Sequence, residues 1–80
     1  MRDDLTPREE EVYRYLLKGL DYYSIGELMG IGKPTLVTHI MHIFEKKLVS
    51  NRYELLALRI KELENEIKEL THNDITSANY

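Results

Sequence analysis

The 80-residue chain contains no cysteine, so neither a disulfide framework nor a metal site built on thiolates can form. A small domain without such cross-links is typical of a reducing compartment, which predicts a cytoplasmic protein. The sequence also lacks any run of about 18 apolar residues, the length of a membrane span, and its first residues lack the apolar core of a secretory signal. We therefore expect the whole chain to be mature and soluble.

Motifs of catalysis are also missing, because the sequence has no Gly-rich phosphate loop, no nucleophile motif and no plausible triad. The three glutamates at residues 9–11 fall at a predicted helix start, where carboxylates favour the helix dipole and are usually solvated. His39 and His42 are three residues apart on one helix, but two imidazoles without a third ligand make a poor metal site. The sequence thus predicts a non-enzyme with no cofactor and no metal.

Charge is distributed unevenly along the chain, whose formal net charge is -3. Residues 1–29 carry four Lys/Arg against seven Asp/Glu, residues 30–61 carry six against two, and residues 62–80 carry one against five. The acidic total argues against nucleic acid, for which a basic domain is the usual footprint. The basic centre between two acidic flanks argues in the other direction.

Two helix starts are marked by short motifs. The segment TPRE at residues 6–9 supplies a threonine N-cap, a proline at the first helical position and a glutamate that completes a capping box. It predicts a first helix from about Pro7 to about Lys18. A second, short helix should follow, capped by Asp21 and ending at about Met29. The residues that we expect to face inward from this second helix are Ile25, Leu28 and Met29.

The next segment has the features of a helix-turn-helix. Only residues 30–32, Gly-Ile-Gly, separate the second helix from a third one predicted over about 34–47. Gly26 is small enough for the two helices to cross closely, and Ile31 and Leu36 can fill the angle between them. A bulky residue at position 26 would push the helices apart.

A last helix is predicted from about Asn51 to Leu70, because apolar residues recur there at alternating spacings of three and four. These residues, which we call the heptad stripe, are Tyr53, Leu56, Ile60, Leu63, Ile67 and Leu70. About 20 helical residues span about 30 Å and outrun a three-helix core. We therefore expect a parallel homodimer through the stripe from Leu56 to Leu70, with Arg59 and Glu64 able to pair across it. The alternative is that the stripe packs on the chain's own core.

Three segments together resemble a known family: LTPREEEVYRYLLKGL at 5–20, THIMHIF at 38–44 and VSNRYELLAL at 49–58. They are similar to the LuxR/FixJ-type (GerE-like) helix-turn-helix domain, and the similarity covers roughly residues 5–60. The resemblance implies an all-α domain of four helices, the third lying in the DNA major groove and the fourth forming a dimer interface. The implied organisation is a standalone DNA-binding domain at 1–55, a continuous dimerisation helix at 51–70 and a disordered tail at 71–80.

The resemblance also implies which residues meet DNA. It places toward the groove Lys33, Thr35, Val37, Thr38, Met41 and His42. It places Lys46 near phosphates, and Tyr23 where the family frequently has a phosphate-binding lysine. Pro34, Val37 and Met41 stand where the family commonly carries lysine or a small polar residue, and Lys47-Leu48 replaces the usual Leu-Gly. We therefore expect few phosphate contacts and a shallow salt dependence.

The function that the sequence favours is a sequence-specific, duplex-DNA-binding transcriptional regulator that acts as a homodimer, with residues 34–47 as its recognition helix. Two alternatives stay open. The fold could serve as a protein-protein interaction module, with Val37, Met41 and Ile40 as an apolar docking patch. It could also belong to a DNA-binding oligomer with a packaging or architectural role.

Overall fold

The computed structural model describes the backbone of residues 4–78 and the side chains of residues 4–68. Residues 4–78 form four helices and no strand, which confirms the all-α fold class. The helices are α1 (Pro7–Leu17), α2 (Tyr22–Met29), α3 (Lys33–Lys47) and α4 (Arg52–Ala78). In the part of the chain that the structure describes, none of them combines the length and the apolar character that crossing a membrane requires.

The predicted capping box at the start of α1 is present. The hydroxyl of Thr6 accepts a hydrogen bond from the backbone N–H of Glu9 at 3.2 Å. In return, the carboxylate of Glu9 accepts one from the backbone N–H of Thr6 at 3.0 Å. Two amide groups that the helix leaves without partners are thereby satisfied, with Pro7 in the first turn. Two residues three apart in sequence are enough to make this helix start.

The turn between α2 and α3 also forms as predicted. Asp21 caps α2 by accepting from the N–H of Ser24 at 2.7 Å, and Gly30 ends the helix with a φ of 66°, which favours glycine. A Cβ atom at Gly26 would lie 3.2 Å from the carbonyl oxygen of Ile31 and 4.0 Å from Leu36. The crossing of the two helices therefore favours glycine at position 26, because a larger residue would force the backbone of Ile31 to shift by a few tenths of an ångström.

The hydrophobic core lies where α1, α2, α3 and the first turns of α4 meet. Its buried members are Val12, Tyr13, Leu16, Ile25, Leu36, Ile40, Ile43 and Leu55. The prediction that Leu28 faces inward is wrong, because its side chain is 59% exposed. The short helix α2 packs mainly on α1 and α3, and this packing leaves the Leu28 side chain largely uncovered.

Helix α3 ends at Lys47, and its C-cap residue Leu48 adopts a left-handed backbone with a φ of 59°. A leucine Cβ is strained in this conformation, whereas glycine adopts it freely. The side chain is 91% exposed, so packing within the chain does not compensate for the strain.

Leu48→Gly is therefore expected to raise the free energy of unfolding by about 1 kcal/mol. The measurement is chemical denaturation at a fixed protein concentration. Glu45→Gly is the control, since glycine at an exposed position inside α3 should instead cost about 1 kcal/mol. A loss of stability in both variants would contradict the strain.

Helix α4 is tied to α1 near its first turn. The guanidinium of Arg52 donates hydrogen bonds to the carbonyl oxygens of Leu16 and Leu20 and lies over the ring of Tyr22. The Leu16 carbonyl oxygen, which also accepts from the N–H of Gly19 at 3.1 Å, and the Leu20 carbonyl oxygen in the loop after α1 each gain a partner in this way. The first turn of α4 is therefore held in place by the hydrogen bonds of Arg52 as well as by the burial of Leu55.

Helix α4 is longer than the sequence predicts, because it continues beyond Leu70 to Ala78. The structure has a helix over residues 71–78, where a frayed or disordered tail is expected from the polar composition; residues 79 and 80 lie outside the described part. The segment THNDITSA contains neither glycine nor proline, so nothing in it breaks the backbone hydrogen bonding of the preceding helix. The 27 residues span about 40 Å.

Candidate nucleic-acid interface

Helix α3 has one buried and one exposed side. Leu36, Ile40 and Ile43 are buried against the other helices. The opposite side, at the same helical period, carries the exposed residues Pro34, Thr35, Thr38, Met41, His42 and Glu45. Because α1 and α2 both pack on the first side, the second side faces solvent along the length of the helix. We call this second side the exposed face of α3.

The structure brings together part of the predicted DNA-binding set. The members that are exposed are Tyr23, Lys33, Thr35, Thr38, Met41 and His42. Of these, Thr35, Thr38, Met41 and His42 share the exposed face of α3. Val37 and Lys46 are half-buried and lie on opposite flanks of it. Tyr23 and Lys33 line one cleft between α2 and the start of α3.

One side chain on the exposed face has a hydrogen bond that limits its chemistry. The hydroxyl of Thr38 donates to the carbonyl oxygen of Pro34 at 3.0 Å. With its hydrogen used inside the helix, the hydroxyl oxygen still has lone pairs that can accept. Thr38 can therefore meet a donor group on a base edge without a change of rotamer.

The cations of α3 are mostly used within the fold. Lys46 Nζ lies 2.7 Å from a carboxylate oxygen of Glu9, and Lys47 Nζ lies 5.1 Å above the ring centroid of Tyr13. Lys33 makes no ion pair with any residue that the structure describes. A lysine that pairs with a buried carboxylate attracts a phosphate more weakly than a lysine without an ion pair. Lys46 therefore differs from the predicted phosphate contact in that its charge is already paired within the fold.

The cations of α4 are used in a similar way. Arg52 binds backbone carbonyl groups, and Arg59 lies 3.3 Å from Glu62 and 3.8 Å from Glu66 on its own helix. The heptad pattern suggests that Arg59 pairs with Glu64 of a second chain. Within its own chain, however, Arg59 already has two carboxylate partners. Lys61 makes no ion pair within the described residues. The basic centre of the sequence is consequently not a continuous cationic surface, which the residue count could not reveal.

Glu45 belongs to the exposed face of α3 and was missed by the reasoning from sequence. The helical period alone would have found it, since it follows Met41 by four residues and Thr38 by seven. Its carboxylate adds negative charge to a face that would approach phosphates. It makes that face less attractive to DNA in general and can accept a hydrogen bond from cytosine.

The carboxylate of Glu9 joins the first turn of α1 to α3. Its side chain is only 5% exposed, and one oxygen accepts from Thr6 N–H and Lys46 Nζ while the other lies 3.4 Å from Nδ1 of His42. Burial raises the pKa of Glu9, but the hydrogen bonds from Lys46 and Thr6 and the nearby positive charge outweigh it, so the pKa lies below its ordinary value of 4.5. Glu9 is therefore ionised at neutral pH.

This lowered pKa has a consequence for stability. A carboxyl group whose pKa is lower in the folded state stabilises the fold above its unfolded pKa, and the contribution is lost as pH falls through the folded value. Glu9→Gln is expected to lower the free energy of unfolding by about 1–3 kcal/mol at neutral pH. The difference from the wild type should shrink as pH falls below 4.5, the ordinary value of the group.

Denaturant unfolding at neutral and acidic pH checks this expectation, with Glu10→Gln as the control. Glu10 is exposed and lies 4.0 Å from Arg14, so its replacement should change stability by less than about 0.5 kcal/mol. A difference between Glu9→Gln and the wild type that does not depend on pH would show that the charge of Glu9 is not what stabilises the fold.

The described part of the heptad stripe lies on one side of α4. Tyr53, Ile60, Leu63 and Ile67 are exposed, Leu56 is half-buried, and the side chain of Leu70 lies outside the described residues. The buried Leu55 belongs to the core cluster and lies off the stripe. The alternative, in which the stripe packs on the chain's own core, does not hold for Ile60, which is 56% exposed.

Comparison with known proteins identifies a family and two relatives that the chain resembles. The model of the luxR family of bacterial regulatory proteins matches residues 3–58. A protein of Aeromonas salmonicida named as an HTH-type transcriptional regulator in the exeN 3' region is 39% identical over 61 residues, which cover 76% of this chain and 31% of that protein. A protein of Guillardia theta named as a transcriptional regulator, ycf29, is 33% identical over 54 residues, or 68% of this chain and 26% of that protein.

The chain thus spans about a third or less of the length of the relatives it matches. The family match covers all of α1, α2 and α3 and the beginning of α4. It includes the capping box, the glycine crossing and the exposed face of α3. The resemblance seen in the sequence is confirmed, and the chain belongs to the luxR family of bacterial regulatory proteins.

Proposed function

We propose that this chain is a transcriptional regulator that binds duplex DNA sequence-specifically as a homodimer, with α3 in the major groove. The observation that carries the proposal is the two-sided character of α3, whose exposed face is backed by the packing of α1 and α2. A helix-turn-helix presents its second helix to base edges in this way. The names of the relatives, which are transcriptional regulators, support the same function.

Four residues of the exposed face, and Lys33 beside it, have a role in this proposal. Thr35, in the first turn of α3, is placed to hydrogen-bond a phosphate with help from the helix dipole. Thr38 and His42 contact base edges, and Met41 contacts a thymine methyl group. Lys33 supplies the main phosphate contact, because it makes no ion pair among the described residues.

The homodimer forms through the heptad stripe of α4. Ile60 and Leu63 are exposed there, and a soluble chain gains by covering such a stripe with a second copy. Leu56, Ile67 and Leu70 complete the proposed interface. A two-fold dimer places its two recognition helices about one turn of DNA apart, so its site is a pseudo-palindrome.

Anisotropy titration onto a fluorescent duplex of mixed sequence tests DNA binding, at about 50 and about 200 mM salt. We expect binding at low salt and a loss of about 10- to 100-fold at high salt, which corresponds to two to four phosphate contacts per dimer. Lys33→Ala should reduce the salt dependence, whereas Lys61→Ala, the matched control on α4, should leave it unchanged. Absence of binding at low salt would overturn the proposal.

A second candidate function, protein binding, is supported by the lysines of α3, since Lys46 and Lys47 both have partners within the fold. The fold could dock a protein through Met41, which is 54% exposed, and the half-buried Val37. Ile40 takes no part in such a patch, because it is buried in the core. The double variant Val37→Ser and Met41→Ser separates the two functions. A DNA-binding protein should change its base preference when both residues are replaced. A protein-docking module should bind no duplex DNA, either as the wild type or as the double variant.

A further inference from the structure

Two residues of α3 contact a single buried carboxylate. His42 and Lys46 are one helical turn apart, and both approach Glu9, which comes from the first turn of α1. Lys46 Nζ is 2.7 Å from one carboxylate oxygen, and His42 Nδ1 is 3.4 Å from the other. Glu9 thus joins the outer side of α3 to a different helix.

The carboxylate determines which edge of the imidazole ring can meet a ligand. The ring of His42 is half-exposed, and its Nδ1 is turned toward the buried Glu9. An ionised carboxylate only accepts hydrogen bonds, so it favours the ring form with a hydrogen on Nδ1. In the neutral ring of that form, Nε2 carries a lone pair and acts as an acceptor.

We infer that Glu9 is a positioning residue for base recognition, which holds His42 so that Nε2 accepts from the amino group of adenine or cytosine. Adenine N6 and cytosine N4 are the donors that the major groove offers. The opposite ring form would donate from Nε2 to an acceptor instead, which is N7 or O6 of guanine, O4 of thymine or N7 of adenine. This inference rests on the proposed DNA binding, and it makes a buried residue of α1 a determinant of sequence preference.

The other charged groups around His42 fit this arrangement. Lys46 takes the second oxygen of Glu9 and keeps the carboxylate ionised. Glu45, three residues beyond His42 on α3, is exposed and makes no ion pair with a described residue. Within the described residues, Glu9 is the carboxylate that lies in ion-pair distance of His42.

The ring form can be measured without DNA, by the nitrogen-15 chemical shifts of the His42 imidazole at about pH 8.5, where ordinary imidazoles are neutral. The signal is assigned by its loss in His42→Ala. We expect the wild type and Glu10→Gln to carry hydrogen on Nδ1, and Glu9→Gln to show a mixed or reversed pattern, because an amide can also donate. Hydrogen on Nε2 in the wild type would overturn the inference without any variant.

Selection from a randomised duplex pool measures the base preference. The base pair at which His42→Ala loses its preference is the one that His42 reads. At that pair, Glu9→Gln should reduce the preference for adenine or cytosine by about three- to tenfold, the value of one neutral hydrogen bond. Thr6→Ala, which weakens the cap of α1 but keeps the carboxylate, should retain the preference.

The outcomes distinguish this inference from the proposed function. If Glu9→Gln loses affinity equally on all duplexes and keeps its preference, Glu9 is only structural and the inference is overturned while DNA binding stands. If the wild type binds no duplex at low salt, the proposed function is overturned and the inference about bases falls with it. The nitrogen shifts then still decide whether Glu9 sets the ring form.

Discussion

Leu55→Ala is expected to lower the free energy of unfolding by about 2–5 kcal/mol, the range for a fully buried leucine in a packed core. Leu55 is 0% exposed, and it is the residue of α4 in the buried core cluster of the described side chains. Removing it leaves a cavity between α4 and the rest of the core, while the hydrogen bond from Arg52 to the Leu16 carbonyl stays in place. The variant should therefore weaken the packing of α4, the proposed dimerisation helix, on the proposed DNA-binding helices.

Chemical denaturation at equal protein concentration measures this effect, because self-association would otherwise alter the apparent stability. Leu28→Ala is the matched control. It makes the same chemical change at a side chain that is 59% exposed, and it should cost less than about 1 kcal/mol. Equal losses in the two variants would mean that the core does not include α4 as described.

Ile60→Asp is expected to convert the proposed dimer into a monomer. Ile60 lies in the middle of the heptad stripe, and a carboxylate there would be buried without a partner in the dimer while remaining solvated in the monomer. The mass in sedimentation should fall from about twice 9.5 kDa to 9.5 kDa. Binding to a duplex with two half-sites should weaken by about 100-fold or more, since the second half-site contact is lost.

Asn65→Asp is the control for this variant, because it adds the same group at an exposed position on the opposite side of α4. It should keep the mass and the DNA affinity of the wild type. Identical masses for Ile60→Asp and the wild type would remove the heptad stripe as the interface. A wild-type mass above that of a dimer would favour the packaging or architectural role over the regulatory homodimer.

The helices themselves could be predicted from sequence because their signals are local. The TPRE motif places a cap, a proline and a glutamate within four residues, and α1 begins where it predicts. The Asp21 cap, the left-handed Gly30 and the close approach at Gly26 depend on neighbours within about ten residues. Interactions between residues so close in sequence can be recognised from the sequence alone, so both the fold class and the turn could be predicted.

The end of α4 and the surroundings of Leu28 were harder to predict, for two different reasons. A polar composition suggests a tail after residue 70, but a helix that has already formed adds further turns at little cost where no glycine or proline stops it. Leu28 has the right period to face inward. Whether it does depends on which helices are near, and the packing of α2 on α1 and α3 leaves Leu28 exposed.

The sequence by itself determined the four helices, the glycine crossing, the apolar period of α3 and the family. Tertiary structure alone decided what the charged residues do. Lys46, Lys47 and Arg52 look like a basic surface in the sequence, yet they bind a buried carboxylate, an aromatic ring and backbone carbonyl groups. The partner of Lys46 lies 37 residues away, and electrostatic interactions act through space, so the order of residues does not show which charges neutralise one another.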